Sequence, residues 1–224
     1  MSPRRAAALR GGEQSLREHL IATAERLIRE RGTAGLTVRL IAREAGVADG
    51  VLYNHFADKE ELLACALRAR VRAVESGLGD LPGAGTATVE ENLRAYIVYG
   101  MRLHAGILPA FAGLVGQPAV LARFADPGGG GGRPGGDWRD RLLAYLRDER
   151  ELGRLAPDAR IEAAARMIVG VCHEAVTSTF VHGYARPAQP PGDDEVGDLV
   201  AAVLDGIAPG RRPGRRPGRR PDRQ

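Results

Sequence analysis

The stretch TVRLIAREAGVADGVLYNHFADKEELL, residues 37–63, decides the fold of this 224-residue chain. Thr37 stands before VRLIAREAG, where its hydroxyl can cap a helix of about two turns. Gly46 then offers the left-handed conformation that ends a helix and turns the chain. A second short helix, ADGVLYNHF, follows at once. Ile41, Ala42, Ala45, Val47, Val51 and Leu52 fall where two such helices must close on each other, with the small Ala42 four residues ahead of the glycine. That is the pattern of a helix-turn-helix unit. Its second helix presents Asp49, Gly50, Tyr53 and Asn54 outward and is too short to persist alone, so neighbouring helices must hold it.

Those neighbours are legible on both sides. SLREHLIATAERLIRERG carries Leu16, Leu20, Ile21, Ala24, Leu27 and Ile28 on one stripe, with Ser15 placed to cap its start and Gly32 to end it. ADKEELLACALRARVRAVESGL reads as a long fourth helix, with Asp58 and Glu61 at the spacing of a capping box. After the PGAGT break the pattern stays helical, over about 87–106, 108–125, 137–153, 158–182 and 193–207, and no alternating run of strand type competes. The expected organisation is all-α: a disordered N-terminus over 1–14, a three-helix helix-turn-helix domain over 15–60, a larger helical domain over 61–208, and a disordered basic tail over 209–224. Within the larger domain, residues 127–136 are glycine-rich and should form a mobile loop, because glycine loses the most backbone entropy on ordering.

Charge is unevenly distributed. The formal +4 hides a tail, GRRPGRRPGRRP and its flanks, with seven arginines against one aspartate, so the other 208 residues sum to −2. Residues 1–60 hold ten cationic against eight acidic side chains, which leaves the acidic excess in the second domain and the basic side at the front, as phosphate recognition requires. Cys65 and Cys172 lie far apart in apolar settings, as buried thiols in a reducing cytoplasm do. No run is long enough for a membrane span, and no residue set has catalytic order or metal-ligand spacing, so no enzyme activity, metal or cofactor is expected.

Residues 15–65 resemble the DNA-binding domain of the TetR family, the tetracycline-repressor-like transcriptional regulators. The resemblance rests on Thr37, Val38, Ile41, Ala42, Ala45, Gly46, Val47, Gly50, Leu52, Tyr53, His55, Phe56, Lys59 and Leu62 in register, the Tyr-x-His-Phe core above all. It implies phosphate contacts from Thr37, Arg39, Tyr53, His55 and Lys59, and base-edge contacts around Ala48, Asp49 and Gly50, beside the outward Asn54. Phe56 is expected in the core. Three positions depart from the family, among them Val51, which replaces a threonine or serine and loses another possible phosphate contact. Ala48 replaces a usual serine and removes a cap, and Asp49 puts a carboxylate where a cationic or neutral side chain is common; it can cap the recognition helix or accept a bond from cytosine N4, and capping is the preferred reading.

The resemblance implies more for the second domain. Ile161, Ala165, Ile168, Val169, Cys172, Val176 and Phe180 form one stripe, and Val196, Leu199, Val200, Val203, Leu204 and Ile207 another. In the family such helices pair with their copies to make a homodimer that binds a palindromic double-stranded operator; the alternative is that both stripes fill the monomer's own core. An effector pocket for a small molecule is implied among the middle helices, with Tyr96, Tyr99, Met101, His104, Phe111, Trp138, His173 and Phe180 as pocket or core residues. The function expected is a ligand-released, DNA-binding repressor. A non-specific architectural nucleic-acid binder driven by the arginine tail is the alternative.

Overall fold

The computed structural model describes residues 13–33, 35–114, 116–126, 136–181 and 192–207. The expected disorder at the N-terminus, the body of the glycine-rich loop and the basic tail lie outside the described residues, as do the side chains of Phe180 and Ile207. Among the described residues there are nine helices and no strand: α1 Glu13–Arg31, α2 Val38–Ala45, α3 Asp49–Leu52, α4 Lys59–Ser76, α5 Val89–Ala112, α6 Pro118–Ala125, α7 Gly136–Glu151, α8 Ile161–Val181 and α9 Asp193–Ile207. None of the described helices is long and apolar enough to cross a membrane.

Local chemistry sets most boundaries. The Thr37 side chain accepts from Leu40 N at 3.1 Å, and Gly46 ends α2 at φ 73°, with its N–H turned back to the Ala42 and Arg43 carbonyls. Gly32 ends α1 at φ 71°. α1, however, begins at Glu13, so Ser15 lies inside the first turn and does not cap it. Asp58 caps α4 by accepting from Glu61 N at 2.8 Å, but the return bond reaches one residue further than a capping box would place it: Glu61 Oε2 accepts from Ala57 N at 2.7 Å. The other Glu61 oxygen is held by Arg17 at 3.2 Å.

Two further boundaries differ from the sequence expectation. α5 does not break near residue 107 but runs through Pro109 to Ala112, and the break falls at 113–117. Proline removes one helical bond and crowds the carbonyl four residues back. Packing offsets that cost here: Ala110 and Leu114 are buried against the N-terminal helices, and the Thr33 hydroxyl donates to the Ala110 carbonyl at 3.1 Å. The helical segment at Asp49 is a single turn rather than two. Its cap residue Ala48 has no side-chain acceptor, and after Leu52 the chain continues as turns in which Asn54, His55 and Phe56 N donate to Val51 and Leu52 carbonyls.

Two buried clusters organise the chain. One gathers Leu20, Leu27, Ile41, Ala42, Leu52 and Phe56 with Leu62, Leu63 and Leu67 of α4, and includes Ala110 of α5, Val120 of α6 and Leu114 between them. The other gathers Val71 of α4 with α5, α7, α8 and α9. α4 therefore serves both, and the expected boundary at residue 60 falls in its first turn. α6 is fastened to α4 at two points: buried Arg68 donates to the carbonyls of Arg123, Phe124 and Asp126 at the end of α6, and Arg123 pairs with the cap residue Asp58. This last turn of carbonyls is where a cation is most useful.

Candidate nucleic-acid interface

α3 is held in place by its apolar side. Leu52 and Phe56 are 2% and 3% exposed, so the opposite side of a one-turn helix is left to solvent. Ala48, Asp49, Gly50, Tyr53 and Asn54 all lie exposed, joined by Thr37 and Arg39 from the start of α2, with half-buried His55 and Lys59 alongside. Each sequence-predicted DNA-contact residue thus lies exposed or half-buried at the start of α2, along α3 and its flanks, or at the start of α4. Tyr53 closes α3 and is 61% exposed, an exposure uncommon for so large a side chain in a core role. A shallow cleft under it is lined by Val38, Leu52, Phe56, Asp58, Lys59 and Leu62. Phe56 is core, as expected, and carries the Arg17 guanidinium 4.7 Å above its ring.

The charges on this surface are largely matched. Arg39 Nε meets Asp49 Oδ2 at 3.3 Å across the two helices of the unit. Arg43 lies 3.8 Å from Glu44, and Glu44 also pairs with Arg26 at 3.3 Å. Lys59, at the first position of α4, forms no ion pair among the described residues. The preferred capping role of Asp49 is corrected: Ala48 occupies the cap position without a side-chain bond, Asp49 is already helical, and its carboxylate is spent on Arg39. Sequence reasoning missed His19, whose Nε2 lies 3.1 Å from the Ala45 carbonyl and ties α1 to the end of α2. A polar residue on the rim of an apolar stripe gives no periodicity signal.

In the second domain, Tyr96, Tyr99, Met101, His104 and Trp138 are brought together in the buried cluster. His104 Nδ1 lies 2.6 Å from the Gly100 carbonyl, a bond in which the ring must donate, and the ring meets Trp138 edge-on at 5.4 Å and His173 at 4.5 Å. Burial pushes the His104 pKa below its ordinary value, against the opposing pull of the Gly100 carbonyl and with a smaller downward push from His173. His173 itself is exposed. Phe111 is elsewhere, half-buried where the two clusters meet and edge-on to Phe124 at 4.9 Å.

Among the described residues Trp138 has no hydrogen-bond partner for its buried indole N–H. Sequence reasoning passed over the polar members of the same α7 face: Tyr145, stacked on Tyr96 at 4.7 Å, and Glu149, which is fully buried, pairs with Arg154 at 3.2 Å and accepts from Gly85 N at 3.1 Å. Their register with Trp138 and Leu142, at helical spacing, was the available signal.

The two stripes read as dimer faces are corrected in part. Ile161, Ala165, Ile168, Cys172 and Val176 of α8, and Val196, Val200 and Val203 of α9, are all buried within the single chain, because both helices lie on α5. They fill its core. Val169, Leu199 and Leu204 are half-buried, and the α8–α9 surface also exposes Met167 at 56%, beside an apolar groove lined by Ile97, Met167, Val171, Leu199 and Ala202.

A short helix presented on a three-helix support, joined through a shared helix to a larger helical domain, defines a helix-turn-helix protein of two-domain type. Residues 20–66 match the model of the family described as bacterial regulatory proteins, tetR family. Over 88 residues the chain is 32% identical to the HTH-type transcriptional regulator BetI of Stenotrophomonas maltophilia, covering 39% of this chain and 45% of that protein. Over 84 residues it is 31% identical to the HTH-type transcriptional repressor NemR of Escherichia coli, covering 38% and 42%. The chain thus spans less than half the length of these curated relatives. Beyond the shared segment the likeness is of fold: the transcriptional regulator FadR of Bacillus subtilis, solved in complex with stearoyl-CoA, superposes with a TM-score of 0.53 at 22% identity, over 84% of this chain and 95% of that one.

Proposed function

We propose that the protein is a sequence-specific DNA-binding transcriptional regulator, acting as a repressor that a small-molecule effector releases from a palindromic operator. The observation that carries this reading is α3, braced on its inner side by Leu52 and Phe56 and presenting Ala48, Asp49, Gly50, Tyr53 and Asn54 outward between Thr37, Arg39, His55 and Lys59. Short polar and cationic side chains at the rim can hold the backbone of a duplex, while the start of α3 reaches base edges in the major groove. The relatives named as regulators and repressors support the same reading.

Two copies would join through the open part of the α8–α9 surface, Met167, Val171 and Leu199, rather than through the stripe already buried in each chain. Two-fold symmetry then places two α3 segments on half-sites one helical turn apart, roughly 10 base pairs or a multiple of it. The effector would enter the cluster around Tyr96, His104 and Trp138, favouring a dimer with the wrong spacing for the two half-sites.

Selection from a pool of random duplexes with the full chain tests the reading. Enrichment of a palindrome, weakened by Tyr53→Phe and His55→Ala, is the expected result. If no sequence is enriched, and deleting residues 209–224 abolishes binding that any DNA competes for equally, the protein is instead a sequence-blind binder.

A further inference from the structure

Asp49 is the anomaly of the DNA-facing surface. A carboxylate there opposes phosphate, and the structural duty that would excuse it is absent: Ala48 holds the cap position and Asp49 bonds no backbone N–H of α3. Its partner is instead Arg39, whose side chain is 88% exposed against 51% for Asp49, so neither is held by burial. The bond uses Arg39 Nε and Asp49 Oδ2. Among the described residues Oδ1 bonds no other group, and the two terminal guanidinium nitrogens of Arg39 are equally uncommitted.

Resting on the reading of the surface as a DNA interface, we propose that Asp49 is a specificity-determining residue: its carboxylate accepts a hydrogen bond from a cytosine N4 amino group in the major groove, with Arg39 as the counter-charge that lets it approach. The chemistry selects this base. Ionised aspartate only accepts, and cytosine presents a donor on the major-groove edge without the N7 acceptor that stands beside the adenine amino group and would repel a carboxylate. The geometry supplies the rest. Asp49 is the first helical residue of α3, the end that reaches base edges, whereas Arg39 projects from the first turn of α2, beside the capping Thr37. Arg39 can therefore hold Asp49 through Nε while its terminal nitrogens meet a backbone phosphate, so that the pair spans from groove floor to groove edge. A lone carboxylate in this place would lower affinity for every sequence alike; a paired one discriminates.

The test is selection from random duplexes followed by binding measurements on the full chain, comparing wild type with Asp49→Asn, Asp49→Ala and Arg39→Gln. Wild type should select one cytosine per half-site at the position under α3, by roughly five- to tenfold over other bases, the low end of what one base contact discriminates. Asp49→Asn should move that preference to adenine, whose N6 and N7 suit an amide, and leave the other positions unchanged. Asp49→Ala should erase the preference at that position. Arg39→Gln, which leaves the carboxylate unpaired, should weaken binding overall and flatten the cytosine preference. Because both side chains are exposed, unchanged thermal melting confirms that each variant is folded. If Asp49→Asn selects the wild-type sequence and binds all duplexes more tightly by one common factor, Asp49 is only an electrostatic brake and the proposal is overturned. If wild type itself selects no sequence, the regulator reading fails first.

Discussion

Gly100 should be the least replaceable glycine of the second domain, and the reason is steric. It sits inside α5, where alanine would ordinarily gain about 1 kcal/mol in helix propensity. A Cβ at this position, however, would lie 2.6 Å from Trp138 Cη2 and 2.9 Å from Cys172 Sγ, and both neighbours are essentially inaccessible to solvent. Neither can swing outward, so the helix or the indole must shift. Overpacking a filled core costs about 1–3 kcal/mol, and a stiff ring places this case at the upper end. The net expectation for Gly100→Ala is a loss of about 1–2 kcal/mol, or roughly 2–8 °C in Tm for a chain of this size.

Trp138→Phe removes the outer ring that the new Cβ strikes, so the double variant should be less destabilised than the two single changes combined, by about 1 kcal/mol or more. Urea unfolding followed by circular dichroism at one protein concentration measures all four corners of the cycle. Trp138 is the sole tryptophan, so its emission gives a second readout of Gly100→Ala. A Gly100→Ala protein that is more stable than wild type, with no coupling to Trp138→Phe, would refute the reasoning.

Two further outcomes follow from the same geometry. Asp58→Ala should cost about 1–2 kcal/mol in urea unfolding, because it removes the cap bond to Glu61 N and the partly exposed pair with Arg123 that fastens α6; Arg123→Ala should recover only the smaller share of that loss. His104, with its folded pKa held below the ordinary 6.5 by burial, contributes stability that is present above that value and is lost as pH falls below it, because the unfolded chain then binds the proton first. The contribution is at most about 1.4 kcal/mol per pH unit, so thermal melting between pH 7.5 and 5.5 should fall less steeply for His104→Phe than for wild type.

Much of the N-terminal domain could be read without coordinates because its signals are local. A threonine before an apolar turn, a glycine that must reverse the chain and an aspartate before Lys59 act within four residues of themselves, and Thr37, Gly46 and Asp58 do what their spacing implies. The spacing of Leu52 and Phe56 placed them inside and, by elimination, put Tyr53 and Asn54 outside. Periodicity also found the stripes of α8 and α9, but a stripe says only that a face is covered.

What covers it was decided by the tertiary structure. α5 occupies the apolar faces of α8 and α9, and a dimer would have to use what remains exposed. The same holds for Pro109, whose local preference to break a helix yields to the burial of Ala110 and Leu114, and for Asp49, whose neighbour in space is ten residues away across a turn. Short-range hydrogen bonding and helical period belong to the sequence by itself, because they depend on residues within one or two turns. Which apolar face meets which, and which carboxylate meets which guanidinium, depend on how helices cross, and only the folded chain sets that.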